Sequence, residues 1–547
     1  MSVADLVVRN AGVYTGDPKQ PWAEGFTVAH GCFRAVGGAA GAPVRIGPGT
    51  RVVDAGGRMI LPGLCDVHIH LGIGGAQQAW ELLLGPDHTA EDIYAAVAVR
   101  SGQLPPGEWV VGGIVGSTVM DDIATPHALA RLDAAAGGRP VLLRDDSMHN
   151  RWVSSATLAA IGVGPRTPDP AGGSYVRDAA GRATGVLREQ ASRHAEAAFA
   201  RSVADPAERD RISLRSAAAL CNRSGITAVQ EAATMEPALR ALARLERDGD
   251  LTLRVVTSTP MREFLESGTA GAELIAASEG YRSPLVRPDF VKVVLDGVPM
   301  ARTSALLTPY PSTGCAHHSG ECLYTPAELV ETLEHAVTAG RGAKIHATGD
   351  AAVRRALDAI AVLRYRYGSG PRFQIAHTEH VHPSDIARFA DLGVVADASP
   401  FIWYPGIMQD SNGKQLPPGY QDAAWPLADL LRGGAEVAAG SDWPCALPTL
   451  DPWTGLETMI TRRAPGNRAG RALNPDQGLS LPQALRAFTL APATAMGLGG
   501  VAGSIELGKH ADFVVLDRNL FEIDVTEIHE TRVLATYFQG REVFSAE

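Results

Sequence analysis

The chain has 547 residues, a formal net charge of −11 and 45% hydrophobic residues, the balance of a globular protein longer than one average domain. The acidic surplus argues against nucleic acid or an anionic membrane as a partner, and no apolar run approaches the ~20 residues of a spanning helix. Six cysteines make no disulfide framework, and the start, MSVADLVVRNAG, has no basic segment followed by a long apolar core, so a cytoplasmic protein is expected.

Residues 1–62 read as short strands between glycine turns (DLVVRNAGVYTGD, GFTVAHGCFRAVGG, RVVDAGGRMILPG), and 496–547 have the same texture in GSIELGKHADFVVLD and VLATYFQGREVF. The two ends predict one small β-sandwich domain built from both termini. Between them, over 63–495, short apolar strands recur at 64–71, 226–231, 253–259, 291–296, 344–348, 373–377, 394–398 and 437–442. Amphipathic segments such as TPAELVETLEHAVTAG and AAVRRALDAIAVLRYR separate several of them. Near-continuous apolar strands alternating with such helices predict an α/β fold, and eight of them a (β/α)8 TIM barrel. The interval from about 73 to 225 is too long for a structureless loop. It carries strand candidates of its own (EWVVGGIV, RPVLLRDD), so an α+β subdomain inserted after strand one is expected over the barrel's C-terminal face.

Barrel active sites sit at the C-terminal strand ends, and the residues there form a pattern. The first strand ends in His68 and His70, which share one face at i and i+2. Lys292 lies on the fourth strand, His346 on the fifth, His377 on the sixth, and Asp442 ends the eighth. One strand histidine alone is more often structural than a ligand. Imidazoles and a carboxylate at several strand ends together form a donor set for zinc or a similar divalent cation.

The segments LPGLCDVHIHLG, VKVVLDGV, KIHATGDAAVRRALDA, QIAHTEHVHPSDIARFADLGVVADASP and AAGSDWP resemble the metal-dependent amidohydrolase superfamily. Within it they are similar to amidohydrolase family 3, the branch that includes N-substituted formamide deformylase. RPVLLRDDSMHNRWVSSATLAAIGV in the insert and ALRAFTLAPATAMGL near the C-terminus extend the resemblance over nearly the whole chain, although Ser154–Ser155 stands where many relatives have an asparagine before the serine. The resemblance implies that His68, His70 and Asp442 hold one metal and that His346 and His377 hold a second. Lys292 matches a lysine that many relatives carry N-carboxylated as a bridge, while others keep a single metal. Zinc, as one or two ions, is the expected cofactor and a homodimer the expected assembly.

The implied activity is metal-assisted hydrolysis of a non-peptide C–N bond in a small molecule, the amide of an N-acyl or N-formyl amine. A metal-activated hydroxide attacks, and Asp442 serves as general base and acid. Cyclic amide, urea, carbamate or ester hydrolysis, decarboxylation, and a non-catalytic relative are the alternatives. His149, in DDSMHNRW, is expected to reach the cavity from the insert as a catalytic group. Arg302, Glu189, Glu231, Trp403 and Trp443 are the substrate-side candidates, and Gln230 could line the cavity with them. His380 and His382 read as exposed loop residues. GCAHHSGEC, with Cys315, His317, His318 and Cys322, mimics a compact zinc knuckle but lacks a second ligand pair, so no structural zinc is expected there.

Overall fold

The computed structural model describes residues 3–38, 45–120, 122–263, 268–311, 318–445, 447 and 449–546. Eight parallel strands make one sheet: Leu64–Ile69, Ile226–Glu231, Arg254–Pro260, Val286–Val294, Gly342–Ala347, Phe373–His377, Val394–Ala398 and Glu436–Ala439, here strands one to eight. Each pairs in parallel with its successor. Strands one, two, five and six are buried along their whole length, because helices cover the outside and side chains fill the inside, which is why they read as unbroken apolar runs. One of the covering helices, Pro326–Thr338, starts at a Thr325/Glu328 capping box with proline in its first turn and turns Leu329, Leu333 and Ala336 inward.

The ring closes between strands eight and one without a regular ladder. Asp442 N–H donates to the His68 carbonyl at 2.7 Å, and His70 N–H donates to the Trp443 carbonyl at 2.9 Å. Gly440 makes this approach possible, since a Cβ there would stand 2.5 Å from the His68 nitrogen. The fold is thus an α/β barrel.

Two further sheets stand beside it. One runs Cys32–Gly37, Gly25–Ala29, Leu6–Arg9, Arg51–Asp54; the other runs Arg541–Ser545, Val533–Phe538, Phe513–Leu516, Met59–Pro62, Gly12–Tyr14, Trp22–Ala23. The second interleaves both ends of the chain, and the two sheets share a core in which Phe26 packs on Phe33 and Phe513 at 5.1 and 4.9 Å, and Phe513 stacks on Tyr537 at 4.3 Å.

Between strands one and two a six-stranded sheet (Gly173–Arg177, Ala183–Glu189, Asn150–Val153, Val141–Asp145, Val110–Val115, Leu82–Leu83) carries the helices Ala90–Gln103 and Pro126–Ala136 on a core of its own around Trp152. Ion pairs fasten it to the barrel side. Arg144 bonds Glu81, just beyond the helix Leu71–Trp80, and Glu196 of the helix Ser192–Ser202, the latter at 2.8 Å. Arg151 reaches the same Glu196 oxygen at 2.6 Å.

Candidate metal centre and active-site cavity

Strand one delivers His68 fully buried, with Nδ1 2.9 Å from Asp397 Oδ2 at the end of strand seven. Lys344 of strand five donates to the same carboxylate oxygen at 2.5 Å. Asp397 therefore accepts a hydrogen bond from His68 Nδ1–H, which leaves Nε2 facing the cavity with its lone pair. That Nε2 lies 3.5 Å from Asp442 Oδ1, and His70 Nε2 lies 3.4 Å from the same oxygen. The donor atoms of His68, His70 and Asp442 fall within 4.8 Å of one another.

The remaining predicted ligands stand next to this trio. Lys292 Nζ is 3.2 Å from His68 Nε2. The His346 and His377 rings lie 4.5 Å apart, and His377 Nδ1, 3.9 Å from Asp442 Oδ2, is buried without a hydrogen-bond partner. His346 Nε2 pairs with the Gly297 carbonyl at 3.0 Å. His377 and Asp442 both adopt positive φ, 72° and 56°, a conformation costly for side chains of this kind and retained where the surroundings over-determine it.

Burial sets the charge state of the group. Together with the nearby Lys292 ammonium it pushes His68 well below the ordinary imidazole value and takes His346 to about 3. Burial and the neighbouring His346 ring do the same to His377. Burial and the Lys344 ammonium bring Lys292 down to about 8. Neutral buried imidazoles around a carboxylate, one with an unpartnered nitrogen, are the donors that zinc and similar divalent cations take, so the residues fit a metal.

Two buried acids brace the loops that carry the ligands. Asp66 accepts the His68 and Ser441 N–H groups at 3.0 and 3.1 Å. Asp296 accepts the N–H groups of Ala305, Thr348 and Gly349. Burial raises both to about 7.

The six ligand candidates line a cavity of about 80 Å³, with His149, Glu379 and Trp425. His149 enters on the insert loop 146–149. Its Nδ1 is 2.9 Å from Glu189 Oε2, and its carbonyl takes the Ser192 hydroxyl at 2.9 Å. Burial opposes a charge on His149, but the Glu189 hydrogen bond and charge outweigh it and raise its pKa.

Several substrate-side candidates lie elsewhere. Glu189 holds His149 and is not part of the cavity wall. Glu231 accepts the Leu71 N–H at 2.5 Å, capping the helix that begins after His70. Arg302 turns away to the Pro311 carbonyl and the Tyr310 ring. Trp403 is core, stacked on Trp425 at 5.5 Å under Arg462, and its neighbour Ile402 lines the cavity instead. Trp443 packs over Gly74, where a Cβ would meet its ring at 2.2 Å. Gln230 is buried and donates to Ser258. His380 is buried against Tyr420, not exposed, whereas His382 is exposed and accepts the Ser384 N–H.

In the knuckle-like segment, Cys315 and His317 lie outside the described residues. His318 bonds the Arg302 carbonyl, and Cys322 packs on the barrel core. Sequence reasoning missed Asp397, Lys344 and Glu379. The first two carried a signal: Asp397 is an acid inside an otherwise apolar strand, as Asp66 is in strand one, and Lys344 shares a strand face with His346 at i and i+2.

A family model described as the amidohydrolase family matches residues 51–544. N-substituted formamide deformylase of Arthrobacter pascens is 28% identical over 98% of this chain and 97% of that protein. Protein LONG AFTER FAR-RED 3 of Arabidopsis thaliana is 27% identical over 99% and 92%. Among solved structures, an uncharacterized metal-dependent hydrolase from Pyrococcus horikoshii OT3 superposes with a TM-score of 0.75 at 23% identity, over 95% of this chain and 99% of that one. An adenosine deaminase from Xanthomonas campestris with bound zinc gives 0.53 at 17%, over 99% and 93%; both share the fold. With most of its length matched by the family model, the chain belongs to the amidohydrolase family and is a hydrolase acting on carbon–nitrogen bonds.

Proposed function

We propose that the chain hydrolyses the amide of N-acyl or N-formyl amines, with His68, His70 and Asp442 holding a first zinc ion and His346 and His377 a second. Lys292, whose Nζ is 3.2 Å from His68 Nε2, would contribute to holding them once N-carboxylated. The observation that carries this reading is the Asp442 oxygen placed 3.5 and 3.4 Å from the Nε2 atoms of His68 and His70. The likeness to the formamide deformylase over nearly the full length of both chains supports the substrate class. Bound there, a divalent cation brings the pKa of water toward ~7 and polarises a carbonyl.

The chain's own residues do the rest. Asp442 takes a proton from the attacking water and returns it to the departing nitrogen, so water and amide leave as carboxylic acid and amine. His149, oriented by Glu189, donates to the carbonyl oxygen as negative charge builds on it. Asp397 and Lys344 keep His68 in one tautomer throughout. Elemental analysis of the purified protein together with a panel of N-formyl and N-acyl amines tests the assignment. Bound zinc and amine release are expected, and a metal-free protein whose activity survives His346→Ala and Asp442→Asn overturns it.

A further inference from the structure

The cavity at the barrel mouth has a polar wall that the hydrolytic groups do not use. Beyond strand six the chain takes two left-handed residues in succession, His377 at φ 72° and Thr378 at φ 44°, and His377 and Glu379 both line the cavity. Trp425 holds this turn: its backbone N–H donates to the Glu379 carbonyl at 2.8 Å, and its indole N–H to the His377 carbonyl at 3.2 Å. Gln409 and Asn412, at i and i+3 of the helix Ile407–Gln415, bring two side-chain amides to the same cavity.

This wall is short of donors. Glu379 is 3% exposed, and among the described residues its carboxylate receives one hydrogen bond, from Asn412 Nδ2 at a long 3.4 Å. No lysine or arginine among them pairs with it. His380 Nε2 stands 3.6 Å away, beyond hydrogen-bond reach, and has no partner of its own. Asn412 is also 3% exposed, and its Oδ1 is buried without a partner. Gln409 turns its amide nitrogen to the Ile402 carbonyl at 2.9 Å. A buried acceptor without a donor is costly, and a leucine or methionine would fill the same space without that cost. Two such acceptors side by side in a substrate cavity point to a ligand that supplies the donors.

Elimination defines that ligand. An anion would face two oxygen acceptors, and an alkyl group would leave both unpaired. A hydroxyl brings one hydrogen to two acceptors. A primary amino group brings two hydrogens, or three when protonated, enough for Glu379 and Asn412 together. Protonated, it also supplies the opposite charge that a buried carboxylate needs. The cavity measures about 80 Å³, room for on the order of six water-sized groups, so the amino group has to lie within a few bonds of the scissile amide.

We infer that Glu379 and the Asn412 side-chain oxygen form a subsite for a primary amino group that the substrate carries close to its scissile amide. The inference rests on the amide-hydrolase reading and narrows the substrate class within it. Two near-isosteric pairs test it on the zinc-loaded full chain. N-methylglycinamide against N-methylpropanamide places the amino group on the acyl side, and N-(2-aminoethyl)formamide against N-propylformamide places it on the amine side. In at least one pair the amino member is expected to exceed its methyl partner in kcat/KM by roughly tenfold or more.

Glu379→Met and Asn412→Leu remove the acceptors at nearly constant volume, and each should cut that ratio by roughly fivefold or more. Asn412→Asp exchanges the donor nitrogen for a second acceptor and should raise it. Zinc content and circular dichroism report folding, and Asn412→Asp decides the matter if the other two variants do not fold. Equal rates within both pairs, which would mean that solvent fills the subsite, or a ratio that no variant moves, overturn the inference and leave amide hydrolysis standing. A zinc-loaded wild type that hydrolyses none of the four compounds overturns the amide reading. Calorimetric binding of the same compounds then judges the subsite alone: an amino member bound more tightly than its methyl partner, with the difference lost in Asn412→Leu, upholds it, and equal binding within both pairs overturns it.

Discussion

At the barrel strand ends, the polar groups around Asp442 are tied across strands: His68 to Asp397, Asp397 to Lys344, and the Asp442 and Ser441 amides to strand one or to Asp66. The insert reaches the same cavity through one loop, 146–149, whose His149 is held by Glu189, and it is fastened by the Arg144–Glu81–Glu196–Arg151 ion pairs. The barrel side is positioned by backbone hydrogen bonds and by the fully buried Lys344–Asp397 ion pair, which salt barely screens. The insert side depends on carboxylate–guanidinium pairs that are strong only while every partner is present. The two sides of the cavity thus rest on supports of different kinds, and lesions in each should be separable.

The sharpest way to break this contrast is Asp442→Asn. It keeps the size of the side chain and removes the base, so kcat should fall on the order of 10³-fold, with circular dichroism unchanged. A fall below tenfold would mean that proton transfer does not run through the barrel side. Next comes Arg144→Met, which leaves Glu196 with Arg151 alone and Glu81 with only Arg209 at 3.8 Å, and should cost about 3 kcal/mol in urea unfolding. A loss confined to kcat, with stability intact, would contradict the division.

Acid sharpens the comparison further. Burial would raise Glu196, but the Arg144 and Arg151 guanidinium groups hold it down at about 2, against an ordinary 4.5. Its stabilisation is complete above about pH 4.5 and is lost as pH falls toward 2, a change of about 3 kcal/mol. Urea midpoints between pH 6 and 2.5 should therefore drop more steeply in wild type than in Glu196→Gln. The smallest effect is expected for Glu189→Gln. It leaves the zinc content unchanged and lowers kcat by about tenfold, with the pH at which activity declines on the alkaline side moving down, because His149 loses the carboxylate that keeps it charged. An unchanged pH profile would make Glu189 a purely structural contact.

The barrel and the strand-end residues that meet at its mouth were legible in the sequence for a physical reason. Strands buried on both faces read as apolar runs, and a histidine or aspartate that ends such a run stands out. Side-chain direction off the strands was not legible. Trp443 directly follows Asp442, yet it points the other way, into room that Gly74 leaves on the helix Leu71–Trp80. Glu231 ends strand two just as a ligand would, and turns to cap that same helix. Arg302, at φ 59°, is carried by a left-handed turn toward Pro311. For Trp443 and Glu231 the deciding partner is more than a hundred residues away in the chain, and local pattern carries no trace of it; for Arg302 it is nine residues on, across an irregular loop.

The seam where Asp442 N–H meets the His68 carbonyl also sets a timetable. Asp442 follows His70 by roughly 370 residues, so at ~5–20 residues per second a ribosome needs roughly 20 to 70 s to deliver the last donor after the first pair. Within that interval Lys292, His346 and His377 emerge, but the carboxylate that lies 3.5 and 3.4 Å from the His68 and His70 nitrogens does not. The His68–His70–Asp442 trio is thereby completed only when translation has passed the eighth strand and the barrel can close.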